Sequence, residues 1–133
     1  NYMSFANIIV NSILLGLILV TQIVNYPLFL KISSANFFDY HRYYRKRISI
    51  IVVPLMLTEL ILTGVMLLLL PNTAHTIIFL FIIIIWLSTF LIQVPIHNSL
   101  INNFNTNQIK HLILSNWIRT IFWFLKLIIL IIS

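Results

Sequence analysis

Polar residues are scarce along this chain and they fall in groups. Four apolar runs cover residues 5–30, 48–70, 76–96 and 113–132. Each holds about 20 residues or more, enough at about 1.5 Å per residue to cross a hydrocarbon layer of roughly 30 Å. Helices are the expected form, because a segment inside lipid must satisfy its own backbone hydrogen bonds. "FLFIIII" and "LKLIILII" would read as buried strands in a soluble protein, but their length and setting favour helices here. The pattern predicts a single all-α domain over residues 1–133, a four-helix transmembrane bundle.

The polar groups define the connections. "PNTAH" is a tight turn, whereas residues 31–47 and 97–112 are longer polar loops with room for a surface helix or a helical extension. Lys31, Arg42, Arg45, Lys46 and Arg47 fall in the first long loop and Lys110 in the second. The positive-inside rule places both long loops in the cytoplasm, with both termini and the Pro71 turn outside. The expected location is an integral membrane protein, of the bacterial inner membrane. The first apolar run lacks a basic leader and a small-x-small cleavage site, so it is expected to be a retained helix.

Composition agrees with this and narrows the chemistry. Of 133 residues, 61% are hydrophobic and 8% charged, against about 25% charged in soluble domains. The lipid bilayer is the expected partner. A net charge of +6 concentrated in one loop acts as an orientation signal, and nucleic acid is not an expected partner. With no cysteine there is no disulfide or thiolate chemistry. No glycine-rich phosphate loop, serine nucleophile elbow or HExxH occurs.

Two segments echo each other. "TQIVNYPLFLKIS" ends the first run and "TFLIQVPIHNSLI" the third; Thr21 and Thr89 are 68 positions apart, as are Pro27 and Pro95. Each half reads helix, Thr-x5-Pro, polar loop, helix. Two similar helical hairpins related by a pseudo-twofold along the membrane normal are expected. The plain alternative is that proline near a helix end is ordinary punctuation. Each proline frees a carbonyl one turn back and tends to kink its helix. The polar residues nearby should face one another rather than lipid: Gln22, Asn25 and Tyr26 from helix one, Gln93, His97 and Asn98 from helix three, Asn116 and Arg119 from helix four. A polar, cytoplasm-side pocket is predicted there, with His41 near enough in sequence to cap helix two.

His97 and His41 are the candidate bases, since imidazole titrates near neutral pH; it also ligates metals and haem. Either histidine could instead be a hydrogen-bonding interfacial residue. Arg119 is an anion clamp for the pocket or a snorkelling side chain. Trp86 and Trp123 lie too deep for an interfacial belt, and either stack on an aromatic ligand or simply pack. Glu59, the one acid within a span, lies near the midplane at a depth that Lys126 can reach. An intramembrane pair of the two is expected, against a protonated Glu59 and an outward-snorkelling Lys126.

"NYPLF", a loop histidine (His41), Pro54, the W-x2-T-x5-P-x-H of Trp86, Thr89, Pro95 and His97, and "NWIRTIFW" together resemble a family of small four-helix membrane proteins. Its best-known relatives are fungal anthrone oxygenases. The resemblance spans nearly the whole chain. It implies oxidation by O₂ without metal or organic cofactor, with His41 or His97 as base, Trp86 or Trp123 against the substrate ring, and Arg119, Asn98 or Gln93 on an enolate-like anion. His97 stands where such proteins often carry asparagine. The leading expectation is thus a pocket for a small apolar ligand, aromatic or isoprenoid, in a cofactor-independent oxygenase. The alternatives are a haem or metal protein using His41 and His97, and a non-catalytic subunit of a larger membrane complex. A small bundle also favours homo-oligomers.

Overall fold

The computed structural model describes residues 2–133. Four helices account for nearly all of it: α1 (Tyr2–Phe29), α2 (Ser34–Leu69), α3 (Thr73–Ser99) and α4 (Thr106–Ile132). All four are long and apolar enough to cross a membrane, and among the described residues there is no strand. The chain is an all-α four-helix bundle and an integral membrane protein.

The helices are longer than the apolar runs alone suggest. α2 begins at Ser34 rather than near residue 48, and α4 at Thr106 rather than near 113. Most of the first long loop is therefore helix, and His41 lies inside α2 rather than capping it. The reason is local. Neither "ANFFDYHRYYRKR" nor "NQIKHL" contains proline or glycine, so nothing stops the helix from continuing past the lipid. The ends are set by side chains. Asn72 caps α3 by accepting from the His75 N–H at 2.7 Å, and Asn105 caps α4 by accepting from Asn107 and Gln108. His75 Nδ1 lies 2.6 Å from the Leu70 carbonyl and closes the Pro71 turn.

α1 and α3 each contain one π turn, at Thr21–Asn25 and Thr89–Gln93. Each is followed directly by a short α segment with its proline in the first turn, Pro27 or Pro95. Proline cannot donate to the carbonyl four residues back and its ring crowds that carbonyl. Widening the helix by one residue just before the proline relieves the crowding, and the Tyr26 and Val94 N–H groups donate five residues back, to Thr21 and Thr89. The Thr21 and Thr89 hydroxyls bond to carbonyls one turn back, at Leu17 and Ile85.

In cross-section α1 packs on α2 and α4, and α3 packs on the same two, so α1/α3 and α2/α4 are the diagonals. Three buried layers stack along the axis. Tyr26, Phe29, Phe37 and Leu100 lie at the end that carries the basic residues, here the basic end. Leu14, Met56, Ile85 and Trp123 form the middle, and Met66, Ile78 and Leu130 the Pro71 end. Away from the basic end the outer faces are mainly apolar, with Leu91 70% and Ile61 64% exposed. That inverts the pattern of a water-soluble bundle and fits a lipid solvent.

Candidate functional site

The π turns aim polar side chains inward. On α1, Gln22 and Tyr26 are buried, and on α3, Gln93 and His97. α4 meets them with Asn116, Arg119 and Thr120, and α2 with His41. All of these except Gln93 form one hydrogen-bonded chain. His41 Nε2 lies 2.8 Å from His97 Nδ1, and His97 Nε2 lies 3.2 Å from the Tyr26 hydroxyl. Arg119 donates to Tyr26 (3.4 Å), to Thr89 (3.1 Å) and, through Nε, to the Asn116 amide oxygen (2.9 Å). Asn116 and Thr120 both donate to Gln22 Oε1, while Gln22 donates to the Ile113 carbonyl. The His41 ring lies nearly parallel to the Phe37 ring, 5.2 Å away, and meets the His97 ring edge to edge, with centroids 5.1 Å apart and planes 20° from each other.

Arg119 sets the direction of this chain. A guanidinium can only donate, so the Tyr26 oxygen is an acceptor from it. The Tyr26 hydrogen then has one partner, His97 Nε2. For neutral rings, His97 therefore carries its proton on Nδ1 and donates it to His41 Nε2, which leaves His41 protonated on Nδ1. Cation, phenol and two imidazoles point one way, toward the basic end.

Arg119 is only 7% exposed. It faces inward, so the snorkelling alternative does not describe it. It also has no anion. The chain has two acidic residues: Asp39 pairs with Arg42 at the surface and Glu59 pairs with Lys126. A cavity of ≈ 200 Å³ opens beside Arg119. Tyr26, Arg45, Thr89, Gln93 and His97 form its polar wall, and Val52, Val53, Met56, Trp86, Phe90 and Val94 its apolar wall. The Trp86 Nε1 is buried and has no hydrogen-bond partner among the described residues. Five N–H groups belong to Arg119 and three bonds are made.

The remaining expected site residues are divided. Gln93 joins Ser88 and Ser115 beside the cavity. Asn98 accepts from Arg45 at 3.1 Å at the basic end. Asn25 donates to the Tyr44 hydroxyl and lies outside the cavity wall. Trp123 lies outside the cavity wall: the Arg119 guanidinium sits over its ring, 6.0 Å from the centroid, and its Nε1 donates to both Glu59 oxygens, at 3.2 and 3.0 Å. Glu59 and Lys126 meet across the α2/α4 diagonal at 2.9 Å, both fully buried. Lys126 also donates to Asn11, whose amide donates to the Trp123 carbonyl.

The sequence reading passed over Asn7, Asn11, Tyr44, Arg45 and Thr63. Asn7 and Asn11 sit four apart on α1, one inward face, and that spacing was the available signal. Thr63 donates to Asn7 at 3.0 Å.

The two candidate ligands of the haem or metal alternative, His41 and His97, are hydrogen-bonded to each other. His97 uses both ring nitrogens in hydrogen bonds, and its Nδ1 is spent on His41 itself. Among the described residues no three His, Cys, Asp or Glu side chains converge. No family model, curated protein or solved structure matches the chain.

Proposed function

We propose that this membrane protein binds a mainly apolar, oxygen-bearing molecule, aromatic or isoprenoid, in the cavity between Arg119 and Trp86. The observation that carries the reading is Arg119: a buried cation without a carboxylate, facing a space whose opposite wall is hydrocarbon and indole. A buried charge is costly unless it is paired, and a ligand oxygen carrying negative charge supplies the missing partner. Trp86 offers a flat face and an unused N–H donor. The basic end faces the cytoplasm in this reading, because Arg42, Arg45, Lys46 and Arg47 lie there. The two π turns, 68 positions apart and each preceding a proline, support a duplicated hairpin as the origin of the bundle.

The catalytic version follows the resemblance to anthrone oxygenases. Tyr26, His97 and His41 form a path that takes a proton from an acidic C–H, and Arg119 holds the oxygen of the resulting enolate. O₂ is then the oxidant, with no cofactor: the carbanion carbon bonds to O₂ and takes back a proton as a hydroperoxide, whose O–O bond breaks with loss of water to leave the new ketone. The test is titration of anthrone into protein held in phosphatidylcholine nanodiscs, read by tryptophan fluorescence and O₂ uptake. Saturable quenching is expected, absent in Trp86→Phe and weakened about tenfold in Arg119→Gln. O₂ uptake that disappears in His41→Ala supports the oxygenase. No saturable quenching overturns the pocket itself.

A further inference from the structure

The cavity beside Arg119 continues outward. A second hollow of ≈ 530 Å³ lies at the basic end, and Arg45 and Ser49 line both spaces. The two walls differ in chemistry. The outer hollow presents Arg42, Arg45, Lys46 and His41, with Asn102 opposite. Asp39, the one acid nearby, offsets a single positive charge through Arg42. Three cations against one carboxylate leave the hollow short of about two negative charges, close to the charge of −1.5 to −2 on a phosphate monoester near pH 7. Two arginine forks and a lysine point charge are also the donors that phosphate oxygens select.

The inner space adds an apolar wall to its polar one and opens sideways. Val53 on α2 is 49% exposed and Phe90 on α3 is 56% exposed, on the faces that lipid covers. Its volume decides how much can enter. A dry cavity of about 150 Å³ accepts one benzene. The ≈ 200 Å³ here holds a short length of one chain and leaves no room for two.

We infer that the two spaces are one site for a single-chain lipid phosphate, alkyl or isoprenyl, with its phosphate in the outer hollow and its chain leaving between α2 and α3. Arg119, one step deeper than Arg45, faces a charged phosphate oxygen from the inner side, which supplies the anionic partner it lacks. This rests on the cavity reading above and adds the head group to it.

The test uses the full chain in phosphatidylcholine nanodiscs, with dodecyl phosphate, dodecanol and inorganic phosphate as probes. Binding is read by the fluorescence that Trp86→Phe removes. Dodecyl phosphate is expected to bind at least about tenfold tighter than dodecanol, with inorganic phosphate far weaker than either. The double variant Arg42→Gln/Lys46→Gln changes exposed side chains and should fold; it is expected to erase the advantage of dodecyl phosphate and leave dodecanol unchanged. Equal binding of dodecyl phosphate and dodecanol, or no effect of the double variant, overturns the head-group assignment while the cavity reading survives. Inorganic phosphate binding as tightly as dodecyl phosphate makes the hollow a site for a free anion and overturns the lipid. Competition by two-chain dioleoyl phosphatidic acid at equal strength overturns the single chain. Failure of dodecyl phosphate and dodecanol alike overturns the cavity reading too.

Discussion

Two buried cations, Arg119 and Lys126, lie two turns apart on α4 and live in opposite circumstances. Lys126 is closed in. Its ammonium meets the Glu59 carboxylate and the Asn11 oxygen, and Trp123 completes the carboxylate from the other side. Arg119 is left open. Its partners are a phenol, a hydroxyl, an amide and the Trp123 ring, all neutral, and a cavity opens beside it. The first arrangement cancels charge inside the protein and has nothing left to offer a ligand. The second leaves charge uncancelled where a small molecule can reach it. Polar residues in a bilayer core are costly in both places, so the contrast separates a structural cluster from a candidate binding site.

The sharpest way to break the comparison is at Glu59. Glu59→Gln strands the Lys126 ammonium, and unfolding in detergent should show a loss of about 3–5 kcal/mol. The double variant Glu59→Leu/Lys126→Met should recover most of that, because a buried pair replaced by apolar groups is often neutral. If the single and double variants are equally unstable, the cluster is not held by charge compensation.

The two tryptophans give the next contrast. Trp123→Phe removes a donor to a buried carboxylate and should cost about 1.5–3 kcal/mol. Trp86→Phe removes an N–H that has no partner, so its cost is about 1 kcal/mol, from lost ring volume alone. Similar losses at both positions would contradict the division of roles.

Arg119→Met removes a cation that has no anion, so stability should stay within about 1 kcal/mol of the parent, in contrast to Glu59→Gln. Its effect should fall on ligand binding. A loss as large as that of Glu59→Gln would mark Arg119 as a structural residue instead.

The smallest effect is expected at Tyr26→Phe. Interhelical hydrogen bonds in membranes average about 0.6 kcal/mol, so stability should barely change. Nitrogen NMR of the imidazoles should nevertheless respond. His97 carries its proton on Nδ1 while Tyr26 donates to Nε2, and losing that donor should let the proton redistribute. An unchanged His97 spectrum would mean that Tyr26 does not set the direction of the chain.

The two clusters also differ in how far they could be read from the sequence. Glu59 and Lys126 were legible as a pair because depth alone limits the choice. One acid and one deep lysine lie at heights within reach of each other, and lipid leaves them few alternatives. The basic-end network was legible only as a collection. The polar residues beside Pro27 and Pro95 announced a polar region, yet nothing in the order of residues said that His41 would hydrogen-bond to His97. That contact depends on α2 starting at Ser34, and the first long loop carries charge and aromatic rings that resemble an unstructured interface.

What the sequence determined by itself was the count of spans, their helical form, the concentration of positive charge at one end and the existence of polar groups inside. These follow from transfer into lipid, which depends on composition and length one segment at a time. Only the tertiary structure decided which polar groups meet. α3 is apolar nearly all round over its first 16 residues, so no polar stripe tells which face turns inward. The rotation of each helix is set by packing and by bonds across the diagonals, such as Tyr26 to His97 and Glu59 to Lys126. Those bonds join residues 71 and 67 positions apart. The same rotations place Trp86 on the cavity and Trp123 on a carboxylate, two identical side chains separated in role by where their helices turn.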